Sequence, residues 1–188
     1  MLSPQRDYDN LAKDAIFDSI QLVFGLTDAD AERFIRYSWP TPDGSVKFDG
    51  DPTVDVCYVR YTYNALESEG YVNDSVSEVT TQSGTVGVER MDTHRGIRAA
   101  LIFYGPHSPE YATRVRVGMN RSDVSAILAT ADMSYVSNRQ MPVSMDELID
   151  GNWFSRTDVS IDFYQLVVYT GTVSLIGQAP DIHIKYNS

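Results

Sequence analysis

The chain has 188 residues, 43% hydrophobic and 22% charged, the balance of an ordinary globular protein and not of a disordered or fibrous one. Its 15 Lys and Arg against 26 Asp and Glu leave a formal net charge of −11, which disfavours general binding to phosphate backbones or anionic membranes. A single cysteine, Cys57, excludes an internal disulfide framework and a cysteine-based zinc site. No apolar run approaches the roughly 18 residues of a membrane span, and the first twenty residues lack a signal-peptide apolar core. A cytosolic chain is expected, in which the sequons at Asn73 and Asn120 carry no weight.

In chain order, residues 8–24 read as a helix: Leu11, Ala15, Ile16, Ile20, Val23 and Phe24 recur at spacings of three and four, and Gly25 stops it. A short helix follows, with Thr27 as N-cap, Asp28 and Asp30 in the first turn, and Phe34 and Ile35 as its apolar patch. Pro40, Pro42 and Asp43-Gly44 then turn the chain. Residues 53–63 and 96–104 read as strands apolar on both faces, which calls for cover on both. Between them, residues 64–85 are polar and rich in Ser, Thr and Gly, so a long exposed excursion is expected there. Two helices should follow Gly105. Ser108 is the expected cap of the first, with Pro109 at its first position, and Ser122 the expected cap of the second. Ala112, Val115 and Met119 form one apolar stripe; Val124, Ile127, Leu128 and Ala131 form the other. Val159, Ile161 and Phe163 alternate with Asp158, Ser160 and Asp162, and a last strand is expected around Ile182, Ile184 and Tyr186. This order predicts an α+β fold, a mainly antiparallel sheet flanked by helices in a single domain over 1–188.

Catalytic signals are weak. His94, His107 and His183 form no ligand pair, and Asp92 with His94 lacks a third group. Asp158 and Asp162 would stand about 13 Å apart along a strand, outside the roughly 5–9.5 Å of glycosidase carboxylates. Cys57 sits among apolar neighbours as a buried thiol. No catalytic residue, metal ligand or cofactor is expected. The charge distribution says more: Arg95, Arg98, Arg114, Arg116 and Arg121 face a single acid, Glu110, within 95–121, whereas residues 1–40 hold seven acids and four bases. A basic surface on one copy meeting an acidic surface on another would give a heterologous assembly, and a ring where the rotation closes.

Leu101-Ile102-Phe103-Tyr104-Gly105-Pro106, then Arg139-Gln140-Met141-Pro142-Val143, then Asp150-Gly151-Asn152-Trp153-Phe154-Ser155-Arg156 form an ordered series. It resembles the neck or tail terminator proteins of tailed bacteriophages, and the N-terminal helix and the Pro-Thr-Pro-Asp-Gly turn at 40–44 are similar to that family too. The sequence departs from its pattern at Thr157 and Asp158, where an aromatic residue is expected. The resemblance implies a structural virion protein of the tail or neck, made in the host cytoplasm. Its relatives form rings, commonly hexameric, that cap the head-proximal end of the tail tube, stop tube growth and join the tail to head connector proteins while DNA passes through. Phe103, Tyr104, Gly105, Pro106, Met141 and Pro142 are carried over as structural markers without catalytic roles. Arg95, Arg98, Arg114, Arg116, Arg121, Trp153 and Arg156 are the expected assembly contacts. Glu67, Glu69, Asp74 and Glu78 are expected to face the channel or a partner. The alternatives are another ring-forming phage protein, of the tail tube or of head completion, and a small α+β enzyme or ligand-binding domain with His94 or Asp92 in a cleft.

Overall fold

The computed structural model describes residues 3–37, 51–63, 72–81, 84–137 and 140–173. In chain order these form β1 (Ser3–Pro4), α1 (Tyr8–Phe24), α2 (Asp28–Phe34), β2 (Ile35–Tyr37), β3 (Val56–Tyr63) and β4 (Val72–Thr81). They continue as β5 (Gly84–Tyr104), α3 (Ser108–Gly118), α4 (Ser122–Thr130), β6 (Met133–Val136), β7 (Val143–Ile149) and β8 (Asn152–Val173). This is a single α+β domain. The sheet runs β1-β8-β5-β3-β2, with β4 on β5 and with β6 and β7 on β8. Among the described residues only β2 and β3 pair in parallel.

The central pair is β5 with β8, 21 and 22 residues long, in antiparallel register from Gly87↔Val173 to Tyr104↔Arg156. Strand alternation sends successive side chains to opposite faces. Ile97, Ala99, Leu101 and Phe103 of β5, Val159, Ile161 and Phe163 of β8, and Cys57 and Val59 of β3 therefore meet the helices in one core. The apolar stripes of α1, α3 and α4 supply the other half: Ala12, Ile16, Ile20 and Val23; Ala112, Val115 and Met119; Val124, Leu128 and Ala131. Phe24, Phe34 and Tyr111 stack edge-on, with ring centroids 5.2–5.4 Å apart. On the sheet's other face Val56, Tyr58, Tyr104 and Phe154 form a smaller cluster that none of the described helices covers.

Helix α1 falls where its periodicity placed it and α2 where its cap did, but Ile35, expected on the apolar patch of α2, begins β2 instead. The Asp7 side chain caps α1, Gly25 ends it at φ 66°, and Thr27 caps α2. The strand expected at 96–104 is half of a longer one, and the segment expected to be an excursion contains β4, in register with β5 from Val72↔Thr93 to Thr81↔Gly84. Thr and Val recur through 76–88, and their β-preference acts although the segment is polar overall. The turn at 40–44, residues 64–71 and the strand expected near 182–186 lie outside the described residues.

Two caps differ from expectation. Helix α3 has His107 at its N-cap and α4 has Arg121, each one residue before the expected serine, and neither cap makes a side-chain bond to its own helix. Asp55, which precedes β3, instead holds the N-cap residue: its carboxylate accepts from the His107 backbone N–H at 2.9 Å and lies 2.8 Å from the ring Nδ1. Ser108 is fully buried, its hydroxyl 3.3 Å from those of Ser155 and Thr157.

Gly105 makes this junction possible. Its φ of +115° is one that residues with a Cβ rarely adopt. A Cβ there would lie 2.5 Å from the Asp55 carboxylate, 2.7 Å from its Cα and 2.9 Å from the Val54 carbonyl. Gly105→Ala should cost roughly 3 kcal/mol, because strain and a backbone clash coincide. Gly25→Ala, at φ 66° in open space, should cost about 1 kcal/mol. Urea unfolding of the two variants checks the ranking, and equal costs would contradict it.

Candidate assembly surfaces

The arginines that the sequence groups together are dispersed by the fold. Arg95 and Arg98 differ in parity on β5 and so leave opposite faces of the sheet. On the helix side, Arg95 donates to the buried Gln165 Oε1 at 2.9 and 2.7 Å, pairs with Asp9 at 2.7 Å and lies 4.7 Å over the Tyr63 ring. Gln165 completes its own bonds by donating to the carbonyls of Tyr8 and Ala131, which fixes the start of α1 and the end of α4 onto β8. On the opposite face Arg98 forms a two-bond pair with Asp162, at 2.7 and 3.2 Å. Asp162, expected on an exposed polar face, is therefore buried. Arg121 pairs with its near neighbour Asp123. Arg114 lies against the Phe24 ring at 5.4 Å, and Arg116 sits half-buried on α3.

Arg156 is likewise an internal residue. It donates to both Asp158 carboxylate oxygens at 2.8 and 2.7 Å and to Glu147 at 2.9 Å, while the Tyr104 hydroxyl donates to the same Glu147 at 2.6 Å. Burial and the bond to Glu147 push the Tyr104 hydroxyl well above its ordinary pKa. The Tyr104 and Arg156 bonds together hold the Glu147 carboxyl below its ordinary value. His107 is exposed and raised by the Asp55 carboxylate.

The other expected residues separate. Phe103 is in the core, and Tyr104 caps the cluster on the helix-free face. Gly105 and Pro106 form the strand-to-helix turn. Asp74 and Glu78 lie on β4, two register positions from each other's neighbour Val76, while Glu67 and Glu69 fall outside the described residues, as does Arg139. Asp92 pairs with Arg90 at 2.8 Å, and His94 is an exposed strand residue. A hollow of about 550 Å³, lined by Arg6, Asp7, Tyr8, Asp9, Arg95 and Tyr169 among others, includes neither. Among the described residues no three His, Cys, Asp or Glu side chains are placed to hold a metal ion. Burial pushes the Cys57 thiol far up, away from its reactive thiolate form. No described helix is long and apolar enough to cross a membrane.

What the sequence reading missed is the β7–β8 hairpin. Asp150 and Gly151, at φ 48° and 84°, close a two-residue turn between Ile149 and Asn152. Positive φ at both positions is the twist-matched hairpin geometry, so the Asp-Gly dipeptide was its available signal. Large apolar side chains are exposed along it, Val143, Met145, Leu148 and Trp153, the last 67% accessible, and just before it at Met141. Pro142 leads the chain into this hairpin.

A model of the phage neck terminator protein family matches residues 14–187, and the chain belongs to that family. It is a structural protein of the phage neck. No curated protein matches its sequence.

The Glu147 depression sets a pH dependence. A carboxyl held below its ordinary 4.5 stabilises the fold fully above that value, and this contribution disappears as pH falls through the lower folded value. Glu147→Gln should therefore lose about 1 kcal/mol at pH 7, the size of a part-exposed charge-assisted network. The gap between wild type and variant should close below pH 4. Thermal melts across pH 3–7 measure it, and a gap that stays constant would contradict the assignment.

Proposed function

We propose that the protein forms a homo-oligomeric ring, hexameric as its resemblance implies, at the head-proximal end of the phage tail. There it ends growth of the tail tube, joins the tail to head connector proteins and lets DNA pass through its lumen. The observation that carries this reading is the exposed apolar surface concentrated on the β7–β8 hairpin, in a chain whose family builds the phage neck. Exposed apolar patches on a rigid element are covered in the working assembly.

The electrostatics support passage of DNA. Asp7, Asp14, Asp18, Asp28, Asp30 and Glu32 are exposed along α1 and α2. Partial burial and its neighbours Asp14 and Asp28 raise the pKa of Asp18, the mark of like charges held close. Such a surface repels phosphate. The acids of the 64–85 segment, Glu67, Glu69, Asp74 and Glu78, keep their proposed place facing the channel or a partner. Trp153, Arg114 and Arg116 keep a proposed role in contacts between proteins, whereas Arg95, Arg98 and Arg156 serve that role only by fixing the surfaces around them. The partners in this reading are further copies of the chain, the tail tube protein and the head connector.

Native mass measured with and without purified tail tubes tests the reading. A closed ring of about six copies, free or as a single cap on tube ends, is expected. A monomer that ignores tubes would refute it, and open filaments would indicate a tube subunit instead.

A further inference from the structure

Strand β7 pairs with β8 alone among the described residues, so the backbone groups along its outer side are offered to a further strand. Its two faces differ. Val143, Met145, Glu147 and Ile149 share one. There Val143 and Met145 are 56% and 45% exposed, Glu147 is taken up by Arg156 and Tyr104, and Ile149 packs on the cluster of Tyr104 and Phe154. Ser144, Asp146 and Leu148 share the other face, where Asp146 and Leu148 are exposed. Residues 140–155, which form this hairpin and its approach, include Asp146, Glu147 and Asp150 and no Lys, Arg or His.

A segment with the complementary pattern lies in the same sequence. Residues 174–188 follow β8 and lie outside the described residues. Within them Ile182, Ile184 and Tyr186 alternate with His183 and Lys185, an apolar row and a basic row at the period of a strand. Set beside β7 with its isoleucines next to Val143 and Met145, such a strand carries His183 and Lys185 to the face of Asp146. Both faces then match, apolar against apolar and base against acid.

Reach decides which copy supplies it. Val143 stands opposite Asp158, and from there β8 runs fifteen residues to Val173, about 50 Å at the rise of a strand. Register with β5 skips no residue along this stretch, which keeps β8 extended. The rest of β7 lies farther still, opposite Thr157 to Asn152. From Val173 to Ile182 the chain advances nine residues, at most about 32 Å when fully stretched. The segment therefore falls short of β7 in its own copy, and a second copy has to bring it there.

We infer that residues 182–186 of one copy add a strand to the β7 edge of the next, with Ile182 and Ile184 against Val143 and Met145 and with Lys185 beside Asp146. This rests on the ring proposed above and names a contact that holds it. Each copy gives one strand and receives one, the heterologous arrangement that a ring requires.

Two double variants of the full chain test it. Ile182→Asp with Ile184→Asp disables the donated strand, and Val143→Lys with Met145→Lys blocks the receiving edge. Val143 and Met145 are exposed, and the donated strand leaves its own copy, so both variants should melt as monomers like wild type. At concentrations where wild type assembles, alone or on tube ends, each variant should stay monomeric. An equimolar mixture should form dimers and nothing larger, because one sound strand and one sound edge remain between the two. Variants that still close rings, or a mixture that stays monomeric, would overturn the strand exchange while leaving the ring intact. A donor variant that melts lower as a monomer would place the segment on its own copy and overturn the exchange too. Wild type that forms no ring, free or on tubes, would remove both readings. As a second measurement, Asp146→Lys and Lys185→Asp should each weaken assembly about threefold alone and restore it when combined in one chain. No recovery would count against the pairing.

Discussion

The antiparallel pair of β5 and β8 is the constraint from which the rest follows. Every strand but β2 hydrogen-bonds to one of these two, and β2 reaches them through β3. Because the register is fixed over the whole length of both strands, the fate of each side chain is fixed with it. One parity supplies the helix-covered core. The other supplies Arg98 with Asp162 and Arg156 with Asp158, charged pairs that a one-residue slip would bury against helices. The strands on either side of the pair, β7 and β3, both take their register from its Tyr104↔Arg156 end.

That end is held by polar contacts between segments distant in sequence. Gly105, Asp55, His107, Ser108, Ser155 and Thr157 come from β3, β5, α3 and β8 and their turns, and they meet within hydrogen-bond reach. The Ser144 hydroxyl extends the chain to β7 by lying 2.9 Å from that of Thr157. The hairpin is thus supported from below by buried hydroxyls on one face and by the Glu147–Arg156–Tyr104 network on the other. If the hairpin meets a partner as proposed, little ordering entropy would remain to be lost on binding.

Much of this architecture was legible in the sequence where the cause is local. The stripes of α1, α3 and α4, the stop at Gly25 and the Thr27 cap depend on residues a few positions apart. The alternation in 158–163 likewise marks β8 directly. What escaped depends on distant partners. Ser108 looks like a cap, yet His107 takes that position and the carboxylate that holds it arrives from Asp55, 52 positions away. The arginines of 95–121 look like one basic surface, yet strand alternation and the carboxylates of Asp9 and Asp162 disperse them. The β7–β8 hairpin was hidden for another reason: apolar and polar residues mix on both of its faces and most are exposed, so its pattern resembles no half-buried strand.

Assembly of such a chain has to overcome its own charge. Copies carrying −11 each repel one another at distances up to the screening length, about 8 Å in physiological salt. Long-range attraction between copies is therefore absent, and association has to come from contacts at close range. The internal ion pairs matter here: Arg6, Arg90, Arg95, Arg98, Arg121 and Arg156 are each already bonded to a carboxylate. Engaged guanidinium groups offer neither phosphate nor a neighbouring copy a ready fork. In the ring proposed above, two copies would be held mainly by exposed apolar area rather than by these engaged guanidinium groups. A contact of that kind forms weakly in free solution and gains strength when many are made at once, as on a closed ring or on a template with the same symmetry. The same charge balance that disfavours adhesion to phosphate backbones thus also weakens association between free copies of the chain.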